Sequence, residues 1–164
     1  NYFINKKITY FNRSKNSSMD NSPTEIVISE VLKKNKEFEH VCLIQATSPL
    51  VKSKDLVSGY KKYLNGGYDS LISGYLTKKF FWKNIENRIL PINYNPSKRP
   101  TRQKNKGTIV ENGAFYFFKS KGFLKKKNRI FGKTGVYLME EKNSIEIDTK
   151  SEFVKVKKIL DKSK

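Results

Sequence analysis

Apolar residues in this chain recur in short blocks with two different periods. Behind the stretch "NSPTE", Ile28, Val31 and Leu32 fall at helical spacing, and Ser22, Pro23 and Glu25 fit the N-cap, N1 and N3 positions of a capping box. A helix ending near Asn35 is predicted there. "HVCLIQA" (40–46) is short, mostly apolar and partly β-branched, which predicts a buried strand. A second helix is expected with Ser53 as cap and Asp55 in its first turn. Leu56, Tyr60, Tyr63 and Leu64 would share one face, and Gly66-Gly67 would end it. "DSLISGY" (69–75) is the next strand, and "KITYF" (7–11) is a short strand ahead of the first helix. The alternation of strand and helix predicts an α/β sheet of parallel strands with helical crossovers.

The middle of the chain breaks this rhythm. "FFWKNIENRILPINYNPSKRPTRQKNKG" holds three prolines, many asparagines and several aromatics, and a long irregular arm in a compact domain is usually functional or an interface. The α/β pattern then resumes with "GAFYFF", a short helix near 120–127, "GVYLM", "SIEI" as a strand, and a last helix. Thr149 and Glu152 form a second capping box there, with Phe153, Val156, Ile159 and Leu160 as the buried stripe. No internal repeat is present.

At 164 residues the chain has the size of one domain, 1–164, and its 37% hydrophobic content is enough for a core. No apolar run approaches the roughly 20 residues that cross a bilayer, and no signal-peptide pattern opens the sequence. A cytoplasmic protein is expected. One cysteine, Cys42, cannot form an internal disulfide and is expected to be buried and inert, and a single histidine, His40, excludes a multi-histidine zinc site. Lys and Arg number 34 against 15 Asp and Glu, a net charge of +19 that raises the possibility of a polyanionic partner. The lysines are scattered rather than gathered into a stripe, and "LKKKNR" (124–129) reads as solvated helix surface and loop. The opening "NYFINKKITYF" reads as the middle of a longer chain.

In open α/β sheets ligands bind beyond the carboxyl ends of the strands. Gln45, Thr47 and Ser48 follow the second strand, Glu146 and Asp148 close the last one, and Ser22 and Thr24 open the first helix, whose free N–H groups favour an anion. In "SIEIDT" an extended backbone would bury Ile145 and Ile147 and project Glu146 and Asp148 together on the other side. A divalent metal, a neighbouring cation or water would then offset their repulsion. Each residue also has a plainer role: Ser22 as a cap, Gln45 satisfying a loop, Asp148 favouring a helix dipole.

Five motifs in register, "MDNSPTE", "IQATSPL", "NYNPSKRPTRQ", "ENGAFYFF" and "SIEIDT", resemble the CMP-sialic acid synthetases, or acylneuraminate cytidylyltransferases, including the pseudaminate and legionaminate enzymes. The resemblance covers residues from about 8 to 160. It implies a three-layer, Rossmann-like nucleotide-diphospho-sugar transferase fold, truncated at the N-terminus, with a β-rich dimerisation arm over about 78–106. It implies the transfer of CMP from CTP to a nine-carbon 2-keto (nonulosonic) sugar acid, whose anomeric hydroxyl attacks the α-phosphate and releases pyrophosphate. Arg13, Ser22 and Thr24 would help hold the nucleotide, Gln45, Ser48 and Gln103 would contact substrate, and Arg102 would face the sugar carboxylate. Asn112 would contact sugar or nucleotide, with Gly113 allowing close approach. Glu146 and Asp148 would bind Mg²⁺, and Arg102 and Asp148 would carry catalysis, in a homodimer with no membrane and no specific nucleic acid as partner.

The sequence departs from the family pattern at three places. No Gly-rich nucleotide loop is present, so the chain alone is expected to be inactive. Glu146 replaces the usual aspartate, and Thr101 and Val51 stand where many relatives have arginine. The competing readings are a basic nucleic-acid-binding module, motivated by the charge and "SKRPTR", and a catalytically inactive remnant that interacts through the arm.

Overall fold

The structure is a computed structural model that describes residues 8–162. In chain order the main elements are α1 (Thr24–Lys34), β1 (His40–Ile44), α2 (Ser53–Asn65), β2 (Ser70–Thr77), β3 (Trp82–Ile85), β4 (Arg88–Pro91), β5 (Thr108–Lys119), α3 (Ser120–Lys126), β6 (Thr134–Leu138) and α4 (Lys150–Asp161). Four strands form one sheet in the order β1-β5-β2-β6, and β3 and β4 pair separately as a hairpin. β2 and β6 are parallel, as expected, but β5 runs antiparallel to both β1 and β2. The arm explains the reversal. It leaves from the carboxyl end of β2 and returns the chain at that same end, so no crossover helix carries it back.

Alternation along β5 builds two cores. Phe115 and Phe117 pack with Tyr63 of α2, Leu71, Ala114 and Met139 on one face, while Tyr116 and Phe118 pack with Ile28 and Leu32 of α1 and Phe123 of α3 on the other. The result is three layers, a mixed sheet between α2 and the α1–α3 pair. α2 approaches closely because Gly59 faces the sheet: a Cβ there would lie 2.9 Å from the Phe115 ring.

Several local expectations fail. Residue 7 of the "KITYF" strand lies outside the described residues, and 8–11 are irregular. α1 starts one residue later than the capping box requires, with Pro23 at its N-cap. The Ser22 hydroxyl donates instead to the Asn16 carbonyl, within a loop tied back to α1 by the Ser14 and Ser17 hydroxyls, which donate to Glu30. The face of α2 is rotated: Asp55, Gly59 and Tyr63 are buried, whereas Tyr60 and Leu64 are exposed. α4 keeps its Thr149–Glu152 box but buries only Val156 of the expected stripe, and Phe153 and Leu160 are exposed. Cys42 is exposed on β1, an edge strand of the sheet, although partial burial still pushes its thiol up to about 11.

"SIEI" is not a strand. After a single 3-10 turn at Glu141–Asn143 the chain crosses the carboxyl ends of the sheet strands, where the Ile147 N–H donates to the Thr47 carbonyl at 2.9 Å. It therefore lies over the strand ends rather than beside a strand with a free edge.

Candidate active site

The sheet is irregular where the motif residues meet. Ile72 pairs with Tyr116 and Gly74 with Glu111, so residues 112–115 of β5 stand opposite Ser73 alone. This bulge is anchored by the Phe115 N–H, which donates to Ser73 Oγ at 2.9 Å, and it gives Gly113 a φ of +62°. Gly113 is the position where a side chain is excluded: a Cβ would fall 2.4 Å from Glu146 Oε1. The Glu146 carboxylate thus occupies a cradle that exists because residue 113 has no side chain.

Glu146 and Asp148 line a cleft of about 360 Å³ with Tyr75, Glu141, Glu152 and Lys155. Burial pushes the Glu146 carboxyl above its ordinary value, and the charges of Asp148, Glu111 and Glu152 add to the shift. Asp148 is exposed, and its backbone N–H, like that of Thr149, donates to Glu152. The predicted pairing of the two acids is therefore present, reached through a crossing segment rather than through strand alternation. A Mg²⁺ ion fits this donor set: it is a hard cation that takes one or two protein carboxylates and fills its other positions with phosphate and water. Among the described residues no group of three or more His, Cys, Asp or Glu could hold a metal. Two carboxylates beside an anionic substrate are the arrangement Mg²⁺ tolerates.

A second cleft, of about 510 Å³, opens at the root of the arm. Lys78, Lys79, Arg99 and Arg102 line it together with Thr77, Phe80, Asn105 and Glu141. Two asparagines fix its walls. Asn93 Nδ2 donates to the Lys79 carbonyl and to Thr108 Oγ1 while its Oδ1 accepts the Phe81 N–H, and Asn105 bridges the Lys78 carbonyl and the Gly107 N–H. Glu141, which lines both clefts, is paired with Lys79 at 3.3 Å, so the cationic cleft keeps a positive balance.

The remaining motif residues divide. The loop after β1 closes over the same edge: the Gln45 N–H donates to the Ala114 carbonyl, Thr47 holds Ile147, and Ser48 is buried with its Oγ lacking a partner. Asn112 is buried too, with its amide donating to Met139 Sδ and accepting the Ala114 N–H, so it braces the bulge. Gln103 is exposed beside Arg102 and lines neither cleft. Arg13 and Ser22 also line neither cleft, while Thr24 lines an apolar groove between α1 and β1.

Sequence reasoning missed a network under the site. The Tyr116 hydroxyl donates to Glu111 at 2.6 Å, and burial together with this carboxylate pushes the phenol well above its ordinary range. The Arg129 guanidinium covers the Tyr116 ring at 4.6 Å and meets Glu25 of α1 at 3.5 Å. Arg129 belongs to "LKKKNR", expected to be solvated; its side chain is only 22% exposed. The one signal was β5 alternation, which places Tyr116 inside. Nothing in the local sequence distinguishes Arg129 from its lysine neighbours.

Residues 3–163 match the profile of the family described as cytidylyltransferase. The chain belongs to the cytidylyltransferase family. It is 36% identical over 140 residues to N-acylneuraminate cytidylyltransferase A of Danio rerio, covering 83% of this chain and 32% of that protein. It is 30% identical over 140 residues to N-acylneuraminate cytidylyltransferase of Oncorhynchus mykiss, with 83% and 32% covered. It is 26% identical over 147 residues to pseudaminic acid cytidylyltransferase of Campylobacter jejuni, with 85% and 63% covered. The chain thus spans about a third of the length of the fish cytidylyltransferases it matches. None of the described helices is long and apolar enough to cross a membrane.

Proposed function

We propose that the protein to which this chain belongs transfers CMP from CTP to a sialic-type (nonulosonic) sugar acid and releases pyrophosphate. The observation that carries the reading is the junction at Glu141 of an acidic cleft, built for a cation with phosphate, and a cationic cleft, built for a carboxylate. The names of the relatives, acting on N-acylneuraminate and pseudaminic acid, agree with it.

Glu146 and Asp148 would hold Mg²⁺, which when bound supplies charge neutralisation at the α-phosphate and the leaving pyrophosphate. The bulge at 112–115 holds Glu146 over Gly113, and the Thr47 carbonyl fixes the segment that presents both acids. Arg102 orients the sugar by its carboxylate, a task that suits a planar guanidinium. From the β1 loop, Gln45 and Ser48 would supply further contacts to substrate. The resemblance gives the nucleotide to Arg13, Ser22 and Thr24, but none of the three lines either cleft, so no nucleotide contact is assigned to them. The reaction takes place in the cytoplasm.

The working unit is a homodimer. The β3–β4 hairpin turns through Glu86 and Asn87, both with positive φ, and exposes Trp82, Ile85, Ile89, Leu90 and Ile92. Phe80 and Tyr94, by contrast, pack on one another at 4.3 Å, so the apolar face offered to a second copy is the hairpin itself. Sedimentation of the complete gene product at micromolar concentration tests this, and a monomer refutes it. The activity is tested by pyrophosphate release from CTP with Mg²⁺ and either N-acetylneuraminic or pseudaminic acid. Release that depends on both substrates is expected; none with either sugar acid would overturn the reading.

A further inference from the structure

Thr101 stands where the family resemblance leads one to expect an arginine, and it cannot serve in its place. Its carbonyl accepts the Asn105 N–H at 2.9 Å, and its side chain does not line the cationic cleft. Across Pro100, however, Arg99 does line that cleft, opposite Arg102. Its guanidinium lies over the Phe80 ring at 4.5 Å and near the Tyr94 ring at 5.8 Å, and Phe80 and Tyr94 are themselves in contact.

A guanidinium laid on an aromatic face keeps its in-plane N–H fork free, and loses less side-chain entropy when that fork engages a carboxylate. Neither Arg99 nor Arg102 makes a side-chain hydrogen bond or ion pair among the described residues, and Glu141, the one acid in the cleft, is taken by Lys79. Two arginines with no side-chain hydrogen bond or ion pair among the described residues therefore line one cationic cavity of about 510 Å³.

We infer that Arg99 is a specificity-determining residue that, with Arg102, binds the substrate's carboxylate in the cationic cleft. The inference rests on the cytidylyltransfer reading for the identity of the substrate, an α-keto sugar acid. The aromatic pair at the root of the arm becomes part of the recognition site, since it fixes the direction of the Arg99 fork.

Binding of N-acetylneuraminic acid, pseudaminic acid, their methyl esters and CTP to the complete gene product is followed calorimetrically. For the wild type, the preferred acid should bind at least about tenfold tighter than its ester, because charge-assisted bonds are lost on esterification. Arg99→Ala should weaken the acid about tenfold or more, leave the ester unchanged and leave CTP unchanged. Phe80→Leu, which keeps the charge but removes the ring beneath it, should weaken the acid a few-fold. Equal weakening of acid and ester, unchanged acid binding in Arg99→Ala, or a loss confined to CTP would each overturn the inference. If the wild type binds CTP but neither acid, the inference fails while nucleotide use stands. Acid binding with the expected Arg99 dependence but no CTP binding would sink the cytidylyltransfer reading and leave Arg99 as a carboxylate site.

Discussion

The two clefts that meet at Glu141 gather like charges in opposite ways. In the acidic one, Glu146 is half-buried over a glycine with Asp148, Glu111 and Glu152 nearby, and the strain shows as a carboxyl pushed above its ordinary value. In the cationic one, Arg99 lies on aromatic rings and Lys79 on Glu141, so positive charge is concentrated without a buried, unpaired cation. The first crowds carboxylates into a half-buried cleft with Lys155 as its one cationic lining residue, and the second pairs or stacks its cations. Carboxylates titrate in the accessible acid range and guanidinium does not, so the two halves of one site should respond differently to metal, to pH and to mutation.

The largest effect expected belongs to the acidic half. Asp148→Asn keeps the size of the side chain but removes one charged ligand, so turnover and Mg²⁺ affinity should fall together by about a hundredfold or more. Pyrophosphate release measured against Mg²⁺ concentration in the complete gene product checks this. Unchanged turnover would leave the acids as a solvated helix entrance. Gly113→Ala acts on the same half from beneath: the new Cβ would meet Glu146 Oε1 and the residue would have to hold a φ of +62°. A stability loss of about 1 kcal/mol and a roughly tenfold weaker Mg²⁺ affinity are expected. If Gly113→Ala lost stability but bound Mg²⁺ normally, the cradle would be structural only.

How much of this was legible in the sequence follows from what each feature depends on. The Thr149–Glu152 box, the end of α2 at Gly66-Gly67 and the strand "DSLISGY" are set by local chemistry and stand as read. The reversal of β5 was not legible, because it depends on where the arm returns the chain. Ser22 has the residue type of a cap but is claimed by the Asn16 carbonyl, a contact made by the loop and not by the helix. "SIEIDT" alternates like a strand, yet it pairs with neither edge of the sheet, and the Thr47 carbonyl holds it across the strand ends instead. Its two acids nonetheless line one cleft, since a crossing segment beside a glycine brings them near each other as a pleat would. Arg129 and Arg99 were invisible because their partners, Tyr116 and Phe80, lie far away in sequence or in the irregular arm.

The contrast in pH response is the third test. A carboxyl raised in the folded state makes folding less favourable as pH rises from the unfolded value, about 4.3 for Glu, through the higher folded value. Glu146→Gln should therefore gain stability over wild type in that window and keep the gain above it, in the absence of Mg²⁺. Added Mg²⁺ should reverse the order, because only the wild type keeps the full ligand pair. Arg99→Ala should give no pH-dependent difference in the same thermal scans, since guanidinium stays charged throughout. A flat difference between Glu146→Gln and wild type would mean that neither burial nor the neighbouring acids disfavour the ionised carboxyl.

The smallest effect separates the acids' chemistry from the helix they precede. Asp148 adjoins the cap of α4, and its N–H and that of Thr149 both donate to Glu152, so a loss on mutating Asp148 could arise from a frayed helix. Thr149→Ala isolates that route. It removes the hydroxyl that accepts the Glu152 N–H at 3.3 Å and leaves both candidate ligands in place. A cap deletion of this kind costs about 1 kcal/mol. α4 exposes Phe153 and Leu160 and buries only Val156, so little packing resists fraying and the full cost should appear in thermal unfolding. Turnover and Mg²⁺ dependence should stay close to wild type, because the segment carrying Glu146 and Asp148 is fixed from its other side by the Ile147–Thr47 hydrogen bond and by the seat over Gly113. If Thr149→Ala lowered turnover as far as Asp148→Asn does, the helix entrance rather than the carboxylate would be what the site depends on.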